Sequence, residues 1–247
     1  MGHDGRDELD VQLDDGLAII TIDRPHARNA IAPETMEQLD RALDKVAGAQ
    51  ALVITGGGDR AFVSGGDLKQ LAALRTEPEA AAMAWRMRGL CDRIAAFPAP
   101  VIAAMNGHAL GGGAEVAVAA DIRIAAADVK IAFNQVSLAI MPAWGGAERL
   151  GRLVGHSEAL LLAGSGTMLD AAEAHRIGLI NRVVPRESFD AEWRALARSL
   201  ANTSAGEIKR VLGGATPDEA VAAFARLWVA DEHWAAADRL QQGRKQG

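Results

Sequence analysis

One cysteine, Cys91, stands in 247 residues. A single thiol excludes an intrachain disulfide, and with it the stapled scaffolds of oxidising compartments. Cys91 falls at helical spacing with Met83, Met87, Leu90, Ile94 and Phe97, the pattern of a core residue rather than a reactive one. Positive charge is also in short supply. Lys and Arg total 26 against 32 Asp and Glu, a formal net charge of −6, which argues against nucleic acid as a main partner. No apolar run reaches the roughly 20 residues of a membrane-spanning helix, so no membrane partner is expected. The amino terminus, MGHDGRDELD, lacks the apolar stretch of a signal peptide. Arg6 stands where a myristoylation signal needs Ser or Thr. A reduced, cytoplasmic location is the default expectation.

Several familiar site signatures are missing as well. The six histidines (3, 26, 108, 156, 175 and 233) are scattered, with none at metal-ligand spacing. Glycine is plentiful, but the run Gly107-His-Ala-Leu-Gly111-Gly-Gly113 does not fit the dinucleotide pattern G-x-G-x-x-G. No phosphate-binding G-x-x-x-x-G-K-[ST] is present. Ser64, in Phe62-Val-Ser-Gly-Gly66, lacks the first glycine of a nucleophile elbow. The sequence therefore points to no metal and to none of the nucleotide cofactors these motifs serve.

What the chain does have is concentrated in VIAAMNGHALGGGAEVAVAADIRI, residues 101–124. The apolar run Val101–Met105 is expected as a buried strand. A glycine-rich turn, 106–113, follows and lets the backbone approach a ligand closely. The alanine-rich helix after it offers unpaired N–H groups and a positive dipole end, suited to an anion or a developing oxyanion. Glu115 lies three residues past Gly112, on the same side of that first turn. A second stretch of this kind is AFVSGGDLKQL, residues 61–71: a strand end, two glycines, then a helix start. His108 abuts the glycine turn, either facing a ligand or as an ordinary loop residue.

The rest of the pattern mixes short strands and helices. A hairpin is expected over Leu9–Leu13 and Leu17–Asp23, and a helix over 33–47. A strand is expected at Ala51–Thr55 and a helix over 79–97, stopped by Pro98 and Pro100. Strands follow at Ile122–Ala125 and Lys130–Phe133. Helices are expected from about 145 to 154 and over 156–163, and a short one after the capping box Asp170-Ala-Ala-Glu173. Leu179–Val184 is expected as a strand. Beyond it the pattern is helical: 188–202, 204–212 and one long helix from Thr216. The expected division is an α/β core over 1–187 and a helical region over 188–247.

At this point the motifs carry a resemblance. AFVSGGDLKQL, APVIAAMNGHALGGGAEVAVAADIRIA, IMPAWGGAERLGRLVG and DAAEAHRIGLINRVVP occur in the order and spacing of the crotonase (enoyl-CoA hydratase/isomerase) superfamily. DRPHARNAI and WVADEHWAAADRL also resemble it, so the likeness spans nearly the whole chain. It implies an α/β fold with a core of repeated β-β-α superhelical turns and a C-terminal helical region that makes trimers or hexamers. It implies an acyl-CoA thioester substrate, with no cofactor beyond that CoA moiety. The family's oxyanion hole corresponds to the N–H groups of Gly66 and Gly112, and its first catalytic glutamate to Glu115. Arg28, Ser64, Gly65, Asp67 and Leu68 correspond to its CoA-binding stretches, although an Asp at position 67 suits a helix cap equally well.

The chain also departs from that family. Hydratases carry a second glutamate in the loop before a Pro-Gly-x-Gly-Gly-like turn, here Pro142-Ala-Trp-Gly-Gly146. Counting back from Pro142 gives Gln135; counting forward from Phe133 gives Ser137. The whole run Asn134–Trp144 holds no acid. Glutamine hydrogen-bonds but cannot act as a carboxylate acid or base. The shortened loop resembles the ethylmalonyl-CoA decarboxylase branch, in which loss of carbon dioxide itself generates the enolate. Leu138, Ile140, Met141 and Trp144 then form a candidate apolar wall of the substrate pocket, with core packing as the alternative. A hydratase-like lyase, a 2-alkylmalonyl-CoA decarboxylase and a non-catalytic CoA-ester-binding oligomer are the three functions carried forward.

Overall fold

The computed structural model describes residues 7–244. Arg6 and the rest of residues 1–6, the first part of the stretch considered for a signal peptide, lie outside that range. Strands β1 (Leu9–Asp14) and β2 (Leu17–Ile22) form the expected hairpin, turned at Asp15-Gly16. Helix α1 (Pro33–Lys45) carries proline in its first turn and buries Met36, Leu39 and Leu43. Then follow β3 (Ala51–Gly56), β4 (Ala61–Val63), α2 (Leu68–Leu71) and α3 (Glu77–Ala95). Helix α3 starts two residues before its expected position, because Thr76 and Glu79 close a capping box.

The next two units repeat this plan. They are β5 (Val101–Met105), β6 (His108–Leu110) and α4 (Gly112–Ala119), then β7 (Ile122–Ala126), β8 (Lys130–Ala132) and a 3-10 turn at Asn134–Leu138. The first strand of each pair joins a six-stranded sheet of order β1-β2-β3-β5-β7-β10, in which β10 is Arg182–Val184, and the second joins a four-stranded sheet. Strands β2, β3, β5 and β7 run parallel in the large sheet. Small side chains sit beside branched ones within this sheet: Ala103 of β5 is level with Ile54, and Ala104 with Ile124. A buried parallel sheet of this kind reads as continuous apolar runs rather than alternation.

Helices α5 (Gly146–Val154) and α6 (His156–Ser165) follow, then β9 (Met168–Asp170), α7 (Ala171–Arg176) and β10 (Arg182–Val184). Two short strands, β6 and β9, were not expected; three residues bounded by glycine or threonine leave too little pattern. The strand expected over Leu179–Val184 is confined to its last three residues. Its earlier part is held otherwise: the N–H groups of Leu179 and Ile180 bond the Ala174 carbonyl, and that of Asn181 bonds Arg123.

From Arg186 onward the described chain is helical: a short 3-10 turn, then α8 (Phe189–Leu200), α9 (Thr203–Leu212), α10 (Pro217–Trp228) and α11 (Asp231–Arg244). Helix α8 puts Phe189, Trp193 and Ala197 into the main core. The single long helix expected from Thr216 is broken at Val229-Ala230, so α10 and α11 fold against each other. An aromatic cluster of Phe224, Trp228, His233 and Trp234 closes that corner. No helix among the described residues is long and apolar enough to cross a membrane.

Candidate active site

The β4–α2 and β6–α4 connections meet at one cleft of about 770 Å³. Gly66 bridges Ile31 as an isolated parallel pair: Ile31 N–H donates to Gly65 O, and Asp67 N–H to Ile31 O. That pattern turns the N–H of Gly66 away from Ile31. Gly112 opens α4, so its N–H has no acceptor inside the helix. A Cβ on Gly65, which has φ +104, would lie 3.5 Å from Gly112 N, so the two loops are in near contact. A Cβ on Gly113 would overlap the Val63 carbonyl. Only glycine permits this approach.

Glu115 is 2% exposed. Its Oε2 accepts from the N–H groups of Trp144 at 2.7 Å and Gly146 at 2.9 Å. Its Oε1 accepts from Gln135 Nε2 at 2.9 Å. Burial pushes the carboxyl above its ordinary range, outweighing the Gly146, Trp144, Gln135 and Ala143 donors that pull it down. Glu115 therefore ties α4 to the start of α5, a structural task that its place in an apolar helix did not announce. Of the two counts made in the sequence, Gln135 is the residue that faces Glu115. Ser137 is exposed, and its hydroxyl donates to the Asn134 carbonyl.

Trp144 is buried against the glycines. A Cβ on Gly112 would overlap its indole ring, and one on Gly66 would lie 3.8 Å from it. Leu138, Ile140 and Met141 also line the cleft, but each is more than half exposed, so they stand at the mouth rather than in the core. Arg28, Ser64, Gly65, Asp67 and Leu68 line the same cleft. Arg28 has φ +53.

The Asp67 carboxylate has structural work. It caps α2 by accepting from the N–H groups of Lys69 and Gln70, and it pairs with Arg24 Nη2 at 3.0 Å. Burial pushes its carboxyl up, but the Arg24 hydrogen bond and the Gln70 N–H overcome this and hold it below the usual range. His108 is a correction: it does not line the cleft. It starts β6 on the exposed face, and its Nδ1 accepts from Lys130 N–H at 3.1 Å.

Four contributors were not singled out as site residues in the sequence. Arg24 is buried and carries Asp67. Arg149 donates to the Trp144 carbonyl at 3.2 Å and pairs with Asp92 at 2.5 Å, bracing the turn that holds Glu115. Leu71 and Met83 also line the cleft, Leu71 beside Gly66. Arg24 had a signal in its place beside Pro25 at a strand end; Arg149 had none beyond helical spacing. Among the described residues, the carboxylates lining the cleft are Asp67 and Glu115. No cluster of potential metal ligands occurs among the described residues.

Two backbone N–H groups beside one buried carboxylate make a place for an oxygen that gains charge and a carbon that exchanges a proton. The sequence model of the enoyl-CoA hydratase/isomerase family matches residues 12–215, and the chain belongs to that family, the crotonase superfamily. It is 38% identical over 200 residues to a probable enoyl-CoA hydratase of Bacillus subtilis, covering 79% of this chain and 77% of the relative. A crotonyl-CoA hydratase of Syntrophomonas wolfei is 38% identical over 193 residues, covering 76% and 73%. The solved enoyl-CoA hydratase of Bacillus anthracis superposes with a TM-score of 0.84 at 27% identity, covering 97% of both chains. The fold is thus the crotonase α/β fold with a C-terminal helical region.

Proposed function

We propose that this chain is an enoyl-CoA hydratase-like lyase that works through a thioester enolate with one carboxylate. The observation that carries the reading is the position of Glu115, buried beside Gly112 on the same cleft as Gly66. The N–H groups of Gly66 and Gly112 receive the thioester oxygen as it gains charge, each such donor typically contributing about 3 kcal/mol to the transition state. Water adds its hydroxyl to Cβ, and its proton passes by way of Glu115 Oε1 to Cα. Arg28, Ser64, Gly65 and Leu68 line the approach for the CoA moiety. The hydratase names of the relatives support this reading and make crotonyl-CoA the first substrate to try.

A second reading is favoured by one contact. Gln135 touches Glu115 directly, where a second carboxylate would serve two-carboxylate hydration. Decarboxylation of a 2-alkylmalonyl-CoA needs only the oxyanion donors and one acid. The C–C bond to the carboxylate breaks, its electron pair enters the enolate, and Glu115 then protonates Cα. Incubation with crotonyl-CoA, methylmalonyl-CoA and ethylmalonyl-CoA separates the two: loss of enoyl absorbance marks hydration, carbon dioxide release marks decarboxylation. A non-catalytic binder of CoA esters remains if no thioester turns over while binding persists in Glu115→Gln. The exposed aromatics of α10 and α11 support assembly into trimers or hexamers, which light scattering would measure.

A further inference from the structure

Gln135 is placed against the candidate acid, yet half of its amide is idle. Its Nε2 donates to Glu115 Oε1, while its own Oε1 is buried with no hydrogen-bond partner among the described residues. A buried acceptor without a donor is unfavourable, so a state in which it is satisfied is worth seeking. Glu115 defines that state. Its Oε2 is filled by two backbone donors, which leaves Oε1 as the oxygen with room for a proton. Once Oε1 carries that proton, the present arrangement sets N–H against O–H. A half turn of the Gln135 amide removes the conflict, because it presents the idle oxygen to the new O–H. The terminal torsion of glutamine is soft and roughly two-fold, so the turn is permitted.

We infer that Gln135 is a two-state positioning residue: its amide donates to Glu115 as the carboxylate and turns over to accept from Glu115 as the carboxylic acid. The transferable proton is thereby kept on Oε1. The inference rests on the reading in which Glu115 delivers a proton. In that step the Oε1–H bond breaks and its electron pair stays on Oε1. The enolate electron pair forms the new C–H bond at Cα. Gln135 Nε2 then turns back to the carboxylate.

The other groups facing Glu115 do not offer this response. Arg88 and Cys91 of α3 lie within electrostatic range of Glu115, and Asp92 of α3 with Glu148 and Arg149 of α5 surround that pair. The charged ones are engaged with each other, Arg88 with Glu148 at 2.7 Å and Arg149 with Asp92 at 2.5 Å. No titratable side chain occurs in the turn Asn134–Leu138 that carries Gln135. Burial of Glu115 favours its acid form and brings that state within reach.

The test is an infrared pH titration of the free, full-length protein, with Glu115 assigned by the carboxyl band missing in Glu115→Gln. In the wild type, labelled on glutamine amide carbons, a glutamine amide band is expected to shift with the same midpoint as the Glu115 carboxyl band. In Gln135→Leu the Glu115 midpoint is expected to stay within about one pH unit of the wild-type value, a tenfold change in proton affinity, because the amide that is removed bonds both forms of the carboxyl. The pH profile of kcat is expected to follow it, while KM stays within about threefold. A glutamine band that ignores Glu115, or a midpoint that rises by more than that in Gln135→Leu, as loss of a carboxylate-only donor would produce, would overturn the inference. The wild-type titration needs no variant to fold. Full turnover in Glu115→Gln would overturn the proton-delivery reading separately, since the infrared coupling is measured without substrate.

Discussion

The indole of Trp144 lies where a side chain on Gly112 would have to go. A Cβ at that position overlaps the ring, and the ring reaches Gly66 as well. The two glycines and the tryptophan therefore form one packed unit at the floor of the cleft. Trp144→Ala is expected to leave space beside the thioester. The kcat/KM ratio of an eight-carbon to a four-carbon acyl-CoA should rise about tenfold or more, since each methylene buried is worth about 0.8 kcal/mol. Gly112→Ala is expected to lower the thermal midpoint through overpacking of about 1–3 kcal/mol and to depress kcat.

Glu115 gives a prediction in which stability and rate part company. Glu115→Gln keeps one oxygen for the Trp144 and Gly146 N–H groups, and Gln135 can present its own oxygen to the new amide. Its thermal midpoint should change little, while kcat falls by about 10²–10⁴. Glu115→Leu strands both buried donors and should cost about 1–3 kcal/mol for each.

The same residue sets a pH dependence. Its carboxyl titrates above the ordinary value of 4.5 in the folded chain, so the folded state holds more protons than the unfolded one. Stability from this group is fully present below 4.5 and is lost as pH rises through the folded value. Denaturant midpoints across that range should fall in the wild type and flatten in Glu115→Gln. Where Glu115 acts as the acid, kcat should fall over the same interval.

Asp67 has the opposite sign. Its carboxyl is held below the ordinary 3.8, so its contribution is present above that value and is lost as pH falls through the folded one. Asp67→Asn keeps a cap for α2 but removes one of the two carboxylate partners of buried Arg24, which retains Glu8 at 2.9 Å. A loss of about 1–3 kcal/mol is expected at neutral pH, read from urea midpoints, with a weaker dependence on acid than in the wild type.

Cys91 is fully buried, and burial pushes its thiol up to about 12. A thiol reagent should therefore label it no faster than the chain opens. Labelling of the native protein at the rate seen in denaturant would contradict this.

Much of this was legible in the residues. The glycine runs at 65–66 and 111–113, each at the start of a helix, mark the two places where the backbone faces the cleft. Strands β3 and β5 stood out because a sheet buried on both faces needs unbroken apolar runs. Other features depended on distant contacts. The bond from Glu115 to Trp144 crosses 29 residues, and that from Arg24 to Asp67 crosses 43. No local period encodes such a pairing. His108 was misplaced for a similar reason: a turn and a three-residue strand look alike in sequence, but only the strand fixes which way the side chain points.

The two backbone bonds that Glu115 accepts give it a second reason to persist. A descendant of this chain that stopped turning over thioesters would still need the carboxylate to hold its α5 turn in place. Inheritance of the glutamate would then record a folded pocket, not a working one. By the same logic, Gln135 has no such anchoring duty to the backbone. Its replacement is the change through which a lineage built on this scaffold could exchange one reaction for another without first giving up its fold.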